Sequence, residues 1–406
     1  MTFKNVQYIT PDFTVKRGDV TVRDGKFALD ALRAEDEVFD GENRLLIPGF
    51  VNAHCHVPMT LLRGWGGGLP LDRWLTEKVY PFEDKMTDDD IYWASLVGIA
   101  EMLASGCTRF HDFYAGCGAI AAAVETSGIR GNLARGLLNF GNGSLEGSQR
   151  LAESEALFAL KSELVTPEVA LHAEYTSDEG YVREVAQYAK SRRARVQVHI
   201  SETRKEHEEC KQRRSGRTPT EYLADCGLLD SPTIAAHCVH ISERDRVILA
   251  ERGVTVAHCP ESNLKLNSGI LPLHTMRGVK LALGTDGASS NNNLNMPEEL
   301  HVAALLGQLS DAPLTAAELL AMAFGDNRIT DGGSADFAVV RLDRPHMVPA
   351  HDVRENLVFS AQASDIEMTV VNGRIVCRDG RVSGFDLDAA MRHVSDSAHR
   401  IAAELT

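Results

Sequence analysis

Short apolar or β-branched runs alternate with longer amphipathic stretches through most of the chain. Eight runs have strand character: 46–53, 108–113, 131–138, 169–171, 195–198, 233–236, 254–257 and 279–283. Helical patterns separate many of them. The clearest opens at Thr87-Asp88-Asp89-Asp90, where a capping hydroxyl and three acids meet the positive end of the helix dipole. It runs to about Ser105, and Gly106 stops it. Strand–helix alternation repeated eight times predicts an α/β fold, a parallel barrel of the (β/α)8 TIM type with its helices outside.

The two ends of the chain have a different pattern. The first 47 residues are short strands with turns, and Asp24-Gly25 between 19–23 and 26–29 predicts a hairpin. Residues 335–342 and 368–371 are β-rich, Asn372-Gly373 turns into 374–377, and Asp379-Gly380 gives another turn. The ends are therefore expected to build one small β domain together. Residues 386–405 have helical periodicity, with Leu387, Ala390, Met391, Val394, Ala398 and Ile401 on one side. The expected organisation is a terminal β domain from 1–48 and 334–382, a barrel over 49–333, and a final helix over 383–406 packed on the barrel.

Composition narrows the classes. A chain of 406 residues can bury a large core, and α/β barrels exceed the usual domain length. The apolar fraction, 44%, is ordinary for a globular protein. A formal charge of -15 argues against nucleic acid or an anionic membrane as partner, since both need a positive footprint. Eight scattered cysteines without a C-x-x-C pair read as reduced thiols. The N-terminal MTFKNVQYITPDF has no apolar signal core, and no run is long enough to span a bilayer, so a cytoplasmic location is expected.

Chemistry collects at the predicted strand ends. The first delivers His54-Cys55-His56, in which His54 and His56 share one face. Strand four delivers His172. Strand five delivers His199, with Glu202 three residues on, strand six His237 and strand eight Asp286. In such barrels the C-terminal strand ends carry the chemistry. Imidazoles with one carboxylate suit a divalent ion such as Zn²⁺ with a position open for water, and Fe²⁺ or Mn²⁺ accept the same donors. Bound water has its pKa lowered to about 7, and Glu202 and His237 are placed to shuttle protons and orient it. His111, His240, His258 and His274 read as hydrogen-bonded structural residues. His172-Ala173-Glu174 matches the H-x-E signature of cytidine-type zinc deaminases, but no P-C-x-x-C follows, so that fold is rejected.

Longer motifs carry a resemblance that spans nearly the whole chain: PGFVNAHCHVPMTLLRG, VHISET, AAHCVH, HCPESNLKLNSG and LALGTDGASSNNNLNM. With them the chain resembles the amidohydrolase superfamily, in particular the branch of 5-methylthioadenosine/S-adenosylhomocysteine deaminases. Cytosine and guanine deaminases and triazine hydrolases are relatives of that branch. The resemblance implies a distorted barrel with a composite β-sandwich made by both termini. It implies His54, His56, His199 and Asp286 as metal ligands, with Asp286 also taking a proton from the water. His237 matches the histidine near that water, and Glu202 the acid that protonates the ring nitrogen. Two-metal members carry a lysine after strand four; VALHAEY has none, which implies one metal.

For the substrate, the resemblance places Glu83 of YPFEDKM on the ribose hydroxyls, which a carboxylate can accept together. It places Trp74 of LDRWL near the base and His172 beside the substrate. Arg150 of QRLAESEALF matches the arginine that grips the carboxylate of S-adenosylhomocysteine, as a guanidinium fork can. The chain departs from the pattern at 324–333, where relatives carry a longer helical segment. The implied reaction converts an adenosine-type nucleoside, a small-molecule partner, to the inosine analogue and ammonia. Hydrolysis of a free heterocycle (guanine, cytosine, a pterin, a triazine) is the alternative, and a catalytically silent scaffold a third. Dimers are common in the family, so the resemblance also allows a homo-oligomer.

Overall fold

The structure, a computed structural model, describes residues 1–29, 37–310 and 312–405. Residues 30–36 of the expected terminal β region and residue 406 of the final helix lie outside it. Two nine-stranded sheets organise the rest. One is assembled from both ends of the chain, from Thr2–Ile9 to Arg44–Pro48 and from Phe337–Arg341 to Arg381–Val382. Its seam is the antiparallel pairing of Arg44–Pro48 with Phe337–Arg341. Its core holds Phe3, Phe27, Leu46 and Phe337, with the Phe3 and Phe337 rings edge to face at 5.8 Å. Asp24-Gly25, Asn372-Gly373 and Asp379-Gly380 all have positive φ, the backbone that tight hairpins require.

The other sheet is the barrel. Its eight barrel strands, all parallel, run Phe50–Cys55, Cys107–Tyr114, Arg130–Leu137, Val169–Leu171, Val196–Ile200, Thr233–His237, Thr255–His258 and Lys280–Leu283, each paired with the next, and the ninth strand, Val165–Pro167, pairs with Arg130–Leu137. Each of the eight expected runs is a strand, but the first is divided. The run expected at 46–53 leaves the terminal sheet at Pro48 and enters the barrel at Phe50. The cause is Gly49, packed so closely on strand two that a Cβ there would meet Thr108 Cγ2 at 2.2 Å. Asn327 fixes the same corner by donating to Gly49 O (2.8 Å) and Thr108 Oγ1 (3.0 Å). The segment at 324–333 that departs from the family pattern thus holds the barrel edge by side-chain bonds.

The ring is drawn together where strand eight meets strand one. Asp286 N–H donates to His54 O at 2.9 Å, and Thr285 N–H to Asn52 Oδ1 at 3.0 Å. Gly284 permits the approach, since a Cβ there would lie 2.8 Å from His54 O. The first long helix, Asp88–Ala104, has the expected reciprocal cap between Thr87 and Asp90. The final helix, Leu387–Glu404, packs on it through Arg400 on Asp90 (2.5 Å) and His393 stacked on Trp93 at 4.3 Å. Ala390 and Ile401 are buried, but Met391, expected on the same face, is 46% exposed. It lies 100° round the helix from Ala390, past the edge of the stripe. All eight cysteines are buried and unpaired. Among the described residues no helix is long and apolar enough to cross a membrane.

Candidate active site

Strand one ends at Cys55, and the alternation of its side chains sorts the motif. Cys55 Sγ faces Asp112, 3.8 Å away, while His54 and His56 turn inward with their rings 4.8 Å apart. Asp112 also accepts the Val57 N–H at 2.5 Å, which fixes the chain just beyond His56. His199, at the end of strand five, completes a set in which ligand atoms of His54, His56 and His199 lie within 4.8 Å of one another. His54, His237 and Asp286 form an overlapping set within the same limit. Residues separated by more than 200 positions meet because each occupies a C-terminal strand end.

The donor atoms face one another in a way that calls for a cation. His56 Nδ1 is 2.9 Å from Phe113 O, so it carries the proton and leaves Nε2 bare. That Nε2 lies 3.3 Å from His199 Nε2 and 3.4 Å from Asp286 Oδ1. His54 Nε2 is 3.5 Å from the same oxygen, fully buried and without a hydrogen-bond partner. Burial pushes the His54 imidazole down to about 4, and burial with four neighbouring imidazoles pushes His199 well below its ordinary range. Neutral rings aimed at one carboxylate, with a buried nitrogen unsatisfied, fit a divalent metal centre.

Neighbours pin each member. Asp286 Oδ2 accepts from Ser262 Oγ (2.6 Å) and Ser290 Oγ (2.9 Å), and Oδ1 accepts the Gly287 N–H (2.8 Å). Burial opposes its charge, but the His54 ring 3.5 Å away and the other nearby imidazoles hold it well below the carboxylate range. His237 Nδ1 lies 2.9 Å from Asn263 Oδ1, which fixes the proton there and leaves Nε2 toward Glu202 Oε2 at 3.8 Å. Burial lowers the His237 pKa, but the carboxylates of Glu202 and Asp286 outweigh it, so the net shift is upward. Glu202 is buried, which raises its carboxyl, and Ser268 Oγ donates to its Oε1 at 3.2 Å. His237 and Asp286 both hold left-handed backbone, at φ 71° and 58°, strain of a kind that clusters at functional positions.

One cavity of about 580 Å³ opens over these groups, an ordinary size for a small-molecule site. His56, His199, Glu202, His237 and Asp286 line it, and buried His54 packs beside His56 and His199. Glu83, Trp74, His172 and Arg150 line the same cavity. Glu83, at the end of the helix Tyr80–Glu83, accepts the Tyr114 hydroxyl and is raised to about 7 by burial. Trp74 is buried in the cavity wall, and the His172 ring sits 5.0 Å from His199. Arg150 is half-buried, with NH1 donating to Gly136 O at 3.3 Å.

Other residues escape a reading from motifs. Ser262, Asn263 and Ser268 all come from HCPESNLKLNSG, a motif recognisable as a block whose members have no obvious separate roles. Phe113 packs its ring 4.8 Å from both His56 and His199. Arg135 and Glu153 line the cavity as an ion pair at 2.5 Å. His111 is structural as expected, 3.2 Å from buried Glu168, and His240 holds Ser268 O at 2.6 Å. His274 is exposed. His258 differs from expectation: it is buried, and neither ring nitrogen has a hydrogen-bond partner among the described residues. Burial keeps it neutral, with its pKa down to about 3, so the ring packs without charge.

Residues 45–376 match the amidohydrolase family. A 5-methylthioadenosine/S-adenosylhomocysteine deaminase of Syntrophomonas wolfei subsp. wolfei is 38% identical over 387 residues, covering 90% of this chain and 89% of that protein. One of the same name from Desulforudis audaxviator is 38% identical over 425 residues, covering 97% of each. Among solved structures, a zinc-bound adenosine deaminase from Xanthomonas campestris superposes with a TM-score of 0.92 at 29% identity, over 99% of this chain and 98% of that one.

Proposed function

The chain belongs to the amidohydrolase family, and we propose that it is a cytoplasmic, metal-dependent hydrolytic deaminase of adenosine-type nucleosides, releasing ammonia and the inosine analogue. The observation that carries this reading is that one cavity is lined by His56, His199, His237, Asp286, Glu202 and Glu83 together. A purine over the donor set, with its ribose diol at Glu83, would use them all. The names of the curated relatives point to the same substrates, 5-methylthioadenosine and S-adenosylhomocysteine.

His54, His56, His199 and Asp286 would hold one ion, Zn²⁺ being favoured by the zinc-bound relative and by the nitrogen-rich donor set. When bound, such an ion supplies Lewis acidity and lowers the pKa of a water to about 7. The remaining work falls to side chains. Asp286 accepts a proton from the water while Ser262 and Ser290 hold its other oxygen still. His237, with Nδ1–H committed to Asn263, presents Nε2 to orient the same water. Glu202, whose carboxyl burial raises and whose Oε1 accepts from Ser268, delivers a proton to the ring nitrogen beside the leaving amine. Trp74 and His172 hold the base in the plane this transfer needs.

Ammonia release from adenosine, 5-methylthioadenosine, S-adenosylhomocysteine, guanine and cytosine tests the reading. Turnover of the nucleosides and neglect of the free bases is expected. Hydrolysis of guanine or cytosine without any nucleoside would transfer the chemistry to a free heterocycle.

A further inference from the structure

We propose that Glu153 determines specificity at the far wall of the cavity: by occupying Arg135 it favours nucleosides with an uncharged 5′ substituent over those with an amino-acid group. This rests on the nucleoside reading above and goes one step further, to the 5′ end. Arg135 lies at the end of strand three, across the barrel from His237 and Asp286 on strands six and eight. Its Nε donates to Glu153 Oε2 at 2.5 Å, and NH1 donates to Gly136 O at 3.1 Å. The other Glu153 oxygen accepts from Gln149 Nε2 at 3.0 Å, so the carboxylate is tied on both sides. All three side chains line the cavity.

The geometry bears on a charged ligand in two ways. A carboxylate bound bidentately along the Nε edge of a guanidinium needs that edge free, and in Arg135 the protein's own carboxylate fills it. Arg150 is the other cation at this wall. It stands three residues before Glu153 in the helix Gln149–Ala159, on the same face, so a ligand carboxylate reaching it also meets the Glu153 charge. Arg150 is half-buried beside Arg135, and burial followed by that like charge lowers its pKa. A methylthio or hydroxyl group meets neither repulsion, and Leu138 and Phe140 offer it apolar surface in the same cavity.

The test compares kcat/KM of the metal-loaded protein for 5-methylthioadenosine and S-adenosylhomocysteine in the wild type, Glu153→Gln and Glu153→Ala. The wild type is expected to favour the methylthio compound. Glu153→Gln should raise kcat/KM for the amino-acid compound about fivefold, as removal of one partly exposed like charge implies, and leave the methylthio compound within about twofold. Glu153→Ala should shift the preference in the same direction. A wild type that favours the amino-acid compound, with Glu153→Gln lowering it, would mean that Glu153 binds the ligand's ammonium and would overturn the proposal. Equal loss on both compounds would make Glu153 structural and overturn it too. Failure of the wild type on both nucleosides, with a free base hydrolysed, would remove the nucleoside reading itself and this proposal with it.

Discussion

The two sides of the cavity are built by different means. On the metal side, the donors are held by buried groups from distant elements: Phe113 O on His56, Asn263 on His237, and Ser262, Ser290 and Gly287 on Asp286. Two of the held residues sit on strained left-handed backbone. On the opposite wall, Glu83 leans on Tyr114 and Arg135 on Glu153, and Phe140 at the rim is 65% exposed. Chemistry that tolerates little misplacement is fixed by a dense shell of hydrogen bonds to uncharged partners. The opposite wall is held by one hydroxyl–carboxylate bond and one ion pair, with Glu83 and Glu153 on segments that follow strands one and three, and on the proposed reading a substitution there can change the ligand without touching the reaction.

The sharpest break in that comparison is Glu202→Gln. The amide keeps the size and the Ser268 contact but cannot deliver a proton, so kcat should fall about 10³-fold. Bound metal, measured by atomic emission, should stay stoichiometric, because Glu202 is outside both ligand sets. Near-normal ammonia release would remove the residue from its assigned role. Ser262→Ala tests the supporting shell. Removing the 2.6 Å bond to Asp286 should cost about 10–100-fold in metal affinity or activity. An unchanged metal titration would mean that Ser290 and Gly287 suffice.

The same division decides what could be read in the sequence. The barrel was legible because its strands are compact apolar or β-branched runs, and His54, His56, His199, His237 and Asp286 each stand at or just beyond the end of one. The division of strand one at Gly49 was not, because it depends on Thr108, 59 positions later, pressing on the glycine. The supporting bonds were half legible. HCPESNLKLNSG stood out as a block, but only the fold shows that Ser262, Asn263 and Ser268 serve three different residues. On the far wall, Glu83 and Arg150 could be picked out by resemblance. Glu153 could not, since an acid three residues after an arginine on a helix looks like a solvated surface pair until strand three brings Arg135 beneath it.

Glu83→Ala probes the recognition wall. A carboxylate that accepts from two ribose hydroxyls contributes about 1.5–3 kcal/mol, so kcat/KM for adenosine-type nucleosides should fall about 10–100-fold. Slow hydrolysis of a base without ribose should change far less, and kcat less than KM, since the diol is remote from the reacting carbon. Equal losses on nucleoside and base would move Glu83 from the ribose to general support of the cavity, and the two walls would no longer be functionally distinct.

The smallest effect concerns stability. Burial raises the Glu83 carboxyl from about 4.5 to about 7, so the folded protein holds this proton more tightly than the unfolded chain does. The associated stability is fully present below about 4.5 and is lost as pH rises through about 7. Above that, the fold carries an ionised carboxylate whose burial the Tyr114 hydroxyl and, more weakly, the Arg135 charge only partly offset. Glu83→Gln has nothing to ionise. Its melting temperature should match the wild type near pH 5 and exceed it at pH 8, with a stability margin of about 1 kcal/mol because water reaches the cavity wall. Thermal melts across that range give the answer directly. A constant offset between the two proteins at every pH would show that the Glu83 carboxyl titrates as an ordinary exposed acid, and that the recognition wall is wetter than its geometry implies.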